Sequence, residues 1–390
     1  MNRKAFSVTS LFSGVGGLDL GFEWEGFNIL WASDLNKDAT DSYLRNFGRP
    51  ALQCDISDLS AAAIPNADVI IGGPPCQSFS LVGQRKQDDP RGKLVFEFVR
   101  IVREKQPLAF VMENVPGMAA STINGRRLPE ILEEEFAYLG YLVERFQLHA
   151  LDYLVPQRRK RLVMVGCRTA PPVKPDGATF AQECYQIAHD DYDLGAKAAL
   201  NDLGVCVGKG LRSKYKSVKP STFARIMRRA GLNSVSLHEC PRMSSMDLQI
   251  VQHIPPGGNY LDIPDSISTG RVMKFKETGG RTTTYGRLHP DRPSYTINTY
   301  FRRPNVGCNF HYSEPRLITP REAMRLQSLP DHWELVFTSQ DARNALIGNA
   351  VPPLMAHAIA WAVRKSLTAS PESGRQRTRV RTTGVCVGRS

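Results

Sequence analysis

The sequence has no apolar run that approaches the roughly 20 residues needed to span a membrane. Its opening residues, Met-Asn-Arg-Lys, lead into a polar glycine-rich stretch by Gly14, so the apolar core of a secretory leader is also missing. These two absences predict a cytoplasmic protein with no membrane partner.

Paired cysteines are absent as well. The eight cysteines are scattered and form no Cys-x-x-Cys pair, so a structural zinc site is not expected. His238-Glu-Cys240 is too isolated to form a metal site. A cytoplasmic chain keeps its thiols reduced, so we predict no metal and free cysteines throughout.

Acidic residues are in short supply. Asp and Glu number 38 against 50 Lys and Arg, which gives a net charge of +12. A basic balance favours a polyanionic partner, nucleic acid first, although a basic soluble protein without such a partner has the same composition. The 390 residues, 42% of them hydrophobic, are enough for a large domain and a smaller one.

The first half of the chain alternates short apolar runs with helical periodicity. The helix is clearest from Leu94 to Lys105, where apolar residues recur at helical spacing. The apolar runs predict five strands, at Val8–Phe12, Asn28–Ser33, Asp68–Gly72, Leu108–Met112 and Arg161–Gly166. This alternation predicts an α/β fold with a Rossmann-like, doubly wound, mostly parallel sheet, whose ligand lies beyond the carboxyl ends of the strands.

The pattern changes after Cys167, where a proline-rich linker begins. Periodicity is weak from there to Asn309, and a basic run extends from Lys209 to Arg229, so we predict a second, smaller, loop-rich domain. Thr319-Pro-Arg-Glu322 is typical of a capped helix start, and another helix is expected after Pro353. The predicted division is a catalytic domain of 1–169 plus 315–367, a recognition domain of 170–314, and a basic, disordered tail of 368–390.

A glycine-rich loop follows the first predicted strand. Gly14, Gly16 and Gly17 permit a tight turn and the close approach of a ligand, although a purely structural turn has the same composition. Asp34 ends the second strand, where an acid can hold ribose hydroxyls, and Asp55 follows a third element. Together they indicate a nucleoside cofactor, without distinguishing NAD from S-adenosylmethionine. The spacing departs from Gly-x-Gly-x-x-Gly.

One cysteine has an unusual setting. Gly72-Gly-Pro-Pro-Cys76-Gln-Ser-Phe-Ser80 follows an apolar strand, where the site of an α/β protein is expected. Two glycines and two prolines fix the backbone before Cys76, which a buried structural cysteine does not need. Rigid placement lowers the entropic cost of nucleophilic attack, so Cys76 is predicted to be a nucleophile.

Three further motifs remain ambiguous by themselves. Glu113-Asn-Val-Pro ends a strand, and the glutamate is either a site acid or a loop acid. Gln157-Arg-Arg-Lys-Arg161 is either a contact to phosphates or a base carbonyl, or a solvated basic patch. Ile347-Gly-Asn-Ala-Val-Pro-Pro353 is either a structural turn or the closure of a cofactor pocket.

In this order the motifs resemble those of the DNA cytosine-5 methyltransferase family of bacterial restriction–modification systems. The match covers about 8–166 and 315–353, and the segment 316–330 is similar to a motif that packs the recognition domain onto the catalytic one. The resemblance implies an S-adenosylmethionine site formed by Phe12, Gly14, Gly16, Gly17, Asp34 (ribose), Asp55 (adenine) and Asn349. It implies catalytic roles for Cys76 (nucleophile), Glu113 (cytosine edge), Arg159 (cytosine carbonyl) and Arg161 (support of the cysteine loop).

The implied chemistry explains these residue types. A thiolate that adds to C6 of cytosine makes C5 nucleophilic enough to take a methyl group, and no metal is required. The target base must leave the duplex, and the segment after Gly166, which includes a family-like Thr296-Ile297, would read the sequence. The implied partners are duplex DNA and a cognate restriction endonuclease, for a monomeric enzyme held at the nucleoid through DNA.

Three other classes of protein share some of these features. An RNA cytosine-5 methyltransferase shares the fold, but that branch usually carries a Cys-Phe-Thr tripeptide, which this sequence lacks. A Rossmann oxidoreductase explains the glycine loop but not Pro-Pro-Cys-Gln. A catalytically inactive DNA-binding module would not need Cys76, Glu113 and Arg159 together.

Overall fold

A seven-stranded sheet forms the centre of the protein. The structure is a computed structural model that describes residues 5–75, 93–188 and 191–369. The strand order is β3-β2-β1-β4-β5-β10-β8. The strands of this sheet are β1 (Ser7–Leu11), β2 (Asn28–Asp34), β3 (Leu52–Gln53), β4 (Val69–Gly72), β5 (Ala109–Asn114), β8 (Leu142–His149) and β10 (Lys160–Cys167).

All neighbouring strands from β3 to β5 pair in parallel, and β10 alone runs antiparallel to both of its neighbours. Residues of β4 and β5 are buried on both faces, which is why these strands read as continuous apolar runs. The predicted α/β class and mostly parallel sheet are confirmed, and the five predicted strands match to within two residues.

The chain winds outward from β1 to β3 and then crosses back to β4 beside β1. This reversal opens a crevice at the carboxyl ends of β1 and β4, where ligands of doubly wound sheets bind. The helices of this part are α1 (Gly17–Trp24), α2 (Lys37–Phe47), α3 (Lys93–Lys105), α4 (Leu128–Tyr138), α10 (Pro320–Leu326), α11 (Gln340–Asn349) and α12 (Pro353–Thr368).

The C-terminal helix α12 is a core helix. It packs against α1 so closely that a Cβ at Gly21 would overlap Ala356 and the backbone of His357. The run Gln340–Thr368 is long and apolar enough to cross a membrane by length and composition, which the sequence analysis did not anticipate. Its most apolar window is 89% buried inside the protein, as expected of a core helix.

The segment between β10 and α10 was predicted to be a loop-rich domain, and its helices and strands are short. They are α5 (Gly177–Tyr185), α6 (Ala196–Leu200), β11 (Ser213–Lys214), α7 (Thr222–Met227), β12 (Ser234–Val235), α8 (Ser245–His253), α9 (Gly270–Thr278), β13 (Gly286–Arg287), β14 (Ser294–Tyr295) and β15 (Cys308–Phe310). Three two-residue strands complete the described set: β6 (Thr122–Ile123), β7 (Arg126–Arg127) and β9 (Gln157–Arg158). Residues 250–317 contribute a hydrophobic cluster of their own, centred on Ile250, Tyr260 and Phe310.

Helix α10 joins this segment to the rest of the fold. It begins with the predicted capping box, in which Thr319 accepts the Glu322 backbone N–H and Glu322 accepts that of Thr319. Its Arg325 is fully buried and forms ion pairs with Asp202 and Asp331. Removing one partner would leave a buried charge uncompensated, so this network holds residues near 202 firmly against α10.

The prediction of free thiols throughout is wrong for one pair, because Cys206 and Cys240 form a disulfide. Val207 and Glu239 pair in an isolated parallel bridge, which brings the two cysteine Cα atoms to 5.0 Å. The pair is 34 residues apart in sequence, so spacing carried no signal of it. Cys54, Cys167, Cys184 and Cys308 are free, as predicted.

Candidate active site

The glycine loop after β1 has the backbone that its composition predicts. Gly14 and Gly16 have positive φ angles of 55° and 82°, and Gly16 is the residue that caps α1. Only glycine adopts this region without strain. Gly17 serves a different purpose, because a Cβ there would overlap the carbonyl oxygen of Val351, from the turn before α12. The loop is therefore closed by the far end of the chain.

Asp34 fixes this loop from the end of β2. Its carboxylate accepts the backbone N–H of Gly14 at 2.8 Å and that of Asn36 at 2.9 Å. Burial raises the pKa of the Asp34 carboxyl, and these two donors oppose the shift. Asp55 lies next along the edge of the sheet, where it accepts the N–H of Ser57 at 2.9 Å.

A cavity of about 410 Å³ opens at the carboxyl ends of β1, β2, β4 and β5. Of the seven predicted cofactor residues, Gly16 does not line the cavity and the other six do: Phe12, Gly14, Gly17, Asp34, Asp55 and Asn349. Leu35 adds an apolar surface to the cavity, and this residue is 62% exposed. The cavity continues to Gly73, Pro74 and Pro75 and, beside them, to Glu113 and Arg161.

Glu113 and Arg161 form an ion pair inside this cavity. The Arg161 Nε lies 2.7 Å from the Glu113 Oε1, and both side chains are about one-tenth exposed. Val163 lies opposite Glu113 on the antiparallel strand pair, so Arg161, two residues earlier, shares the face of Glu113. Burial lowers the pKa of Arg161, and Glu113 opposes the shift.

Asn114, which follows Glu113 in β5, holds the segment that leads to Cys76. The Asn114 side chain donates to the carbonyl oxygen of Pro74 at 3.1 Å. Gly73 passes so near Glu113 that a Cβ would lie 3.1 Å from its Oε2. Cys76 itself lies outside the described residues, which resume at Lys93.

Arg159 lies elsewhere. It is 1% exposed and does not line the cavity. Its two terminal nitrogens donate to the carbonyl oxygens of Ile297 at 3.1 Å, Gly348 at 2.8 Å and Ala350 at 3.2 Å. The sequence analysis placed Arg159 on the base and Arg161 behind the cysteine loop, but the structure brings Arg161 to the cavity and ties Arg159 to backbone.

Sequence analysis missed one acid of the site. Asp19 is completely buried in α1, borders the cavity, and accepts hydrogen bonds from Ser10 at 3.0 Å and Tyr43 at 2.9 Å. Burial raises its pKa to about 6. An acid between Leu18 and Leu20, on an otherwise apolar helix face, was the available signal.

Away from the cavity, Glu25, Cys184 and His357 bring potential metal-ligand atoms within 4.8 Å of one another. These atoms already have protein partners. Tyr185 contacts the His357 Nδ1 at 2.8 Å, the His357 Nε2 contacts Glu25 at 3.2 Å, and Arg364 pairs with Glu25 at 2.9 Å. The cluster is satisfied as a hydrogen-bonded network that joins α1, α5 and α12.

The fold and the cavity define a doubly wound α/β protein with a small-molecule-sized site beside a carboxylate–arginine pair. The family model for C-5 cytosine-specific DNA methylase matches residues 6–365. The chain is 35% identical over 376 residues to the type II methyltransferase M1.HphI of Haemophilus parahaemolyticus, covering 93% of this chain and 88% of the relative. It is 32% identical over 349 residues to M.NgoFVII of Neisseria gonorrhoeae, covering 89% and 83%.

Solved structures agree. A putative DNA modification methyltransferase encoded within an Escherichia coli prophage superposes with a TM-score of 0.66 at 26% identity, over 94% of this chain and 100% of that one. The Dnmt2 methyltransferase of Schizosaccharomyces pombe, at 14% identity and a TM-score of 0.57 over 93% and 100%, shares the fold. The protein belongs to the C-5 cytosine-specific DNA methylase family and is a DNA (cytosine-5)-methyltransferase, which confirms the resemblance inferred from the motifs.

Proposed function

We propose that the protein transfers the methyl group of S-adenosylmethionine to C5 of a cytosine within a specific duplex sequence, through a covalent bond between Cys76 and C6 of a flipped base. The observation that carries the proposal is the continuity of one cavity. It runs from the glycine loop and its two carboxylates to the Glu113–Arg161 pair and the residues that lead directly into Cys76.

The cofactor end of the cavity fits the methyl donor. A volume of about 410 Å³ lies within the range of small-molecule sites. Asp34 would hold the ribose hydroxyls and Asp55 the adenine amino group, with Leu35 against the adenine face and Asn349 closing the far side. When bound there, S-adenosylmethionine supplies an electrophilic methyl carbon.

The other end of the cavity suits the base. Glu113 would bind the amino and N3 edge of cytosine, and Arg161 beside it would bind the carbonyl oxygen, the role first assigned to Arg159. Arg161 also places positive charge where electron density collects as the thiolate adds, which stabilises the transition state. Arg159 then acts as a positioning residue behind both.

Cys76 would begin the reaction. Its thiol loses a proton, the thiolate forms a bond to C6, and the electron pair of the C5–C6 double bond moves into the ring, where N3 takes up a proton. C5 then takes the methyl carbon, and the electron pair of the broken carbon–sulfur bond stays on sulfur in the departing S-adenosylhomocysteine. Loss of the C5 proton to a base, expulsion of the Cys76 thiolate and release of the N3 proton restore the double bond, the neutral base and the free enzyme. Flipping the target out of the duplex costs a few kcal/mol.

The residues that line the cavity support a division into a catalytic domain and a recognition domain. Among the described residues, all that line it fall within 10–161 or 345–351, inside the proposed catalytic domain of 1–169 plus 315–367. We assign sequence reading to residues 170–314, whose lysines between Lys209 and Lys219 are exposed and suited to phosphates. Because the relatives named above are type II methyltransferases, we further propose that this protein protects the site of a cognate endonuclease.

The test is methyl transfer from tritiated S-adenosylmethionine to duplex DNA. Cys76→Ala should abolish transfer while retaining cofactor binding, and the half-buried Cys184→Ala should remain active as a matched control. DNA carrying 5-fluorocytosine should trap a covalent adduct on the native protein, because fluorine blocks the final elimination. Full turnover by Cys76→Ala, or a trapped adduct on it, would refute the mechanism.

A further inference from the structure

Two arginine–tyrosine stacks lie on the surface beside the catalytic strands. The Arg303 guanidinium lies 4.9 Å from the ring centre of Tyr300, and that of Arg158 lies 5.6 Å from the ring centre of Tyr295. Tyr300 is 51% exposed and Tyr295 is 40% exposed, and both arginines are exposed. We call these four residues the Arg–Tyr seam. Exposed aromatics that carry cations are typical of surfaces that contact nucleic acid.

The seam is anchored directly to the strand that leads into the active site. Tyr295 pairs with Arg158 where β14 joins β9, and Thr296 donates to the Arg158 carbonyl at 2.7 Å. The neighbouring Arg159 side chain donates to the Ile297 carbonyl, one residue beyond Thr296. Arg161 of the cavity follows two residues after Arg159. The segment 158–161 therefore carries both a member of the seam and a residue of the cavity.

Hydrogen bonds tie the backbone of Arg303 into a turn. The Arg303 backbone N–H donates to the Tyr300 carbonyl at 2.8 Å, and the Arg303 carbonyl accepts from Val306 at 3.1 Å and from the Asn309 side chain at 3.2 Å. A bonded turn limits the positions that its side chain can take, and discrimination between bases requires such a restriction.

Arg302 and Arg303 differ in whether the guanidinium is already paired with a carboxylate. Arg302 is bound through two nitrogens to Asp341, at 2.6 and 3.0 Å, so its charge is neutralised. Arg303 forms no ion pair with any carboxylate in the described part of the chain. Its planar fork is stacked on a ring and free at its outer edge, ready for a bidentate acceptor.

We propose that Arg303, supported by Tyr300, is a specificity-determining residue that reads a guanine next to the target cytosine through its O6 and N7. These two acceptors match the arginine fork, and this is the commonest base-specific contact to DNA. A base that neighbours a flipped cytosine lies close to the active site. The seam adjoins that site, because Arg158 is three residues from Arg161 and Tyr300 is two residues from Asn298, whose backbone lies beside Gly348. The assignment rests on the proposed function of the same cavity.

The test compares native protein with Arg303→Ala and Arg303→Lys. The recognition site is first read by bisulfite sequencing of DNA methylated by the native protein. kcat/KM is then measured on duplexes that differ from that site by single base pairs, at several salt concentrations. Arg303→Ala should lose discrimination at one guanine position by about tenfold or more, the range of one bidentate pair, with little change in the salt dependence.

Arg303→Lys keeps the charge but not the fork, so it should fail to restore discrimination. Arg168→Ala is the matched control. The Arg168 guanidinium lies 4.8 Å from the ring centre of Tyr141. Arg168 directly follows β10, whose last residue is at the end of the sheet away from the cavity. Its loss should leave discrimination intact.

Two results would overturn the assignment. A uniform loss on every duplex, with a shallower salt dependence that Arg303→Lys restores, would make Arg303 a phosphate contact. Unchanged discrimination by Arg303→Ala would remove it from recognition altogether. Failure of the native protein to methylate any cytosine is a different outcome, and it would refute the proposed function itself.

Discussion

Replacing Arg159 with methionine separates a residue that positions the backbone from one that contacts the base. The guanidinium makes three hydrogen bonds, to the carbonyl oxygens of Ile297, Gly348 and Ala350. Methionine fills much of the same volume and donates none of them. The three carbonyls belong to two different parts of the fold, so loss of these bonds loosens both the segment between Tyr295 and Tyr300 and the turn that carries Asn349.

The magnitude follows from the bonds lost. A hydrogen bond of this kind contributes about 1 kcal/mol net, and more when the donor is charged. Three such bonds suggest about 3 kcal/mol. Methionine also removes the cost of burying a charge, and the Arg159 Nε has no hydrogen-bond partner among the described residues, so the native side chain is imperfectly satisfied. We therefore expect the free energy of unfolding to fall by about 2 to 3 kcal/mol.

Urea unfolding measures this change, and calorimetric titration measures cofactor affinity, which should weaken as well. Arg161→Met is the comparison, because it should reduce kcat most while leaving cofactor affinity close to native. An Arg159→Met protein with native stability and native cofactor affinity but no turnover would refute the positioning role. That result would return Arg159 to the base carbonyl.

Three further outcomes follow from the packing. Gly17→Ala should weaken cofactor binding about tenfold or more, because its Cβ would displace the carbonyl oxygen of Val351 and open the cavity, as titration of the cofactor would show. Burial lowers the pKa of His311 to about 4, so the unfolded chain takes up that proton first, and stability should fall as pH decreases from 6.5 to about 4 in urea unfolding. Reductant should destabilise the oxidised protein by roughly 2 to 4 kcal/mol, because Cys206 and Cys240 close a long loop, and Cys206→Ser should not respond.

Each outcome has a control. Gly48 also has a positive φ, 67°, but a Cβ there meets nothing within 4 Å, so Gly48→Ala should lower stability without affecting cofactor affinity. His311→Asn should reduce the slope of stability against pH between 6.5 and 4, and an unchanged slope would contradict the assignment to this group. Equal responses of native protein and Cys206→Ser to reductant would exclude the disulfide as the cause.

Local features were readable from the sequence. The strands that flank the site are buried on both faces and therefore appear as apolar runs, and the helix at 93–105 shows its buried stripe at helical spacing. The glycine loop and the acid after β2 follow strand ends, and strand ends of parallel sheets meet at one edge. Chain order therefore placed Gly14 and Asp34 around one crevice, and the family resemblance added Glu113.

Contacts between distant segments were not readable. Arg159 and Arg161 are two residues apart with the same chemistry, and only the partners offered by the tertiary structure distinguish them. Backbone carbonyls from Ile297 and Gly348, which no sequence pattern marks as acceptors, occupy Arg159 and leave Arg161 for the cavity.

The sequence by itself determined the class of fold, the positions of five of its strands and the motifs that follow them, because these depend on local periodicity and on residue types a few positions apart. Tertiary structure alone decided which arginine lines the cavity, that Asp19 is buried beneath the glycine loop, and that Cys206 is joined to Cys240. Each of these depends on what a side chain meets across the fold, and burial and hydrogen-bond partners are set by packing between segments that the sequence keeps far apart.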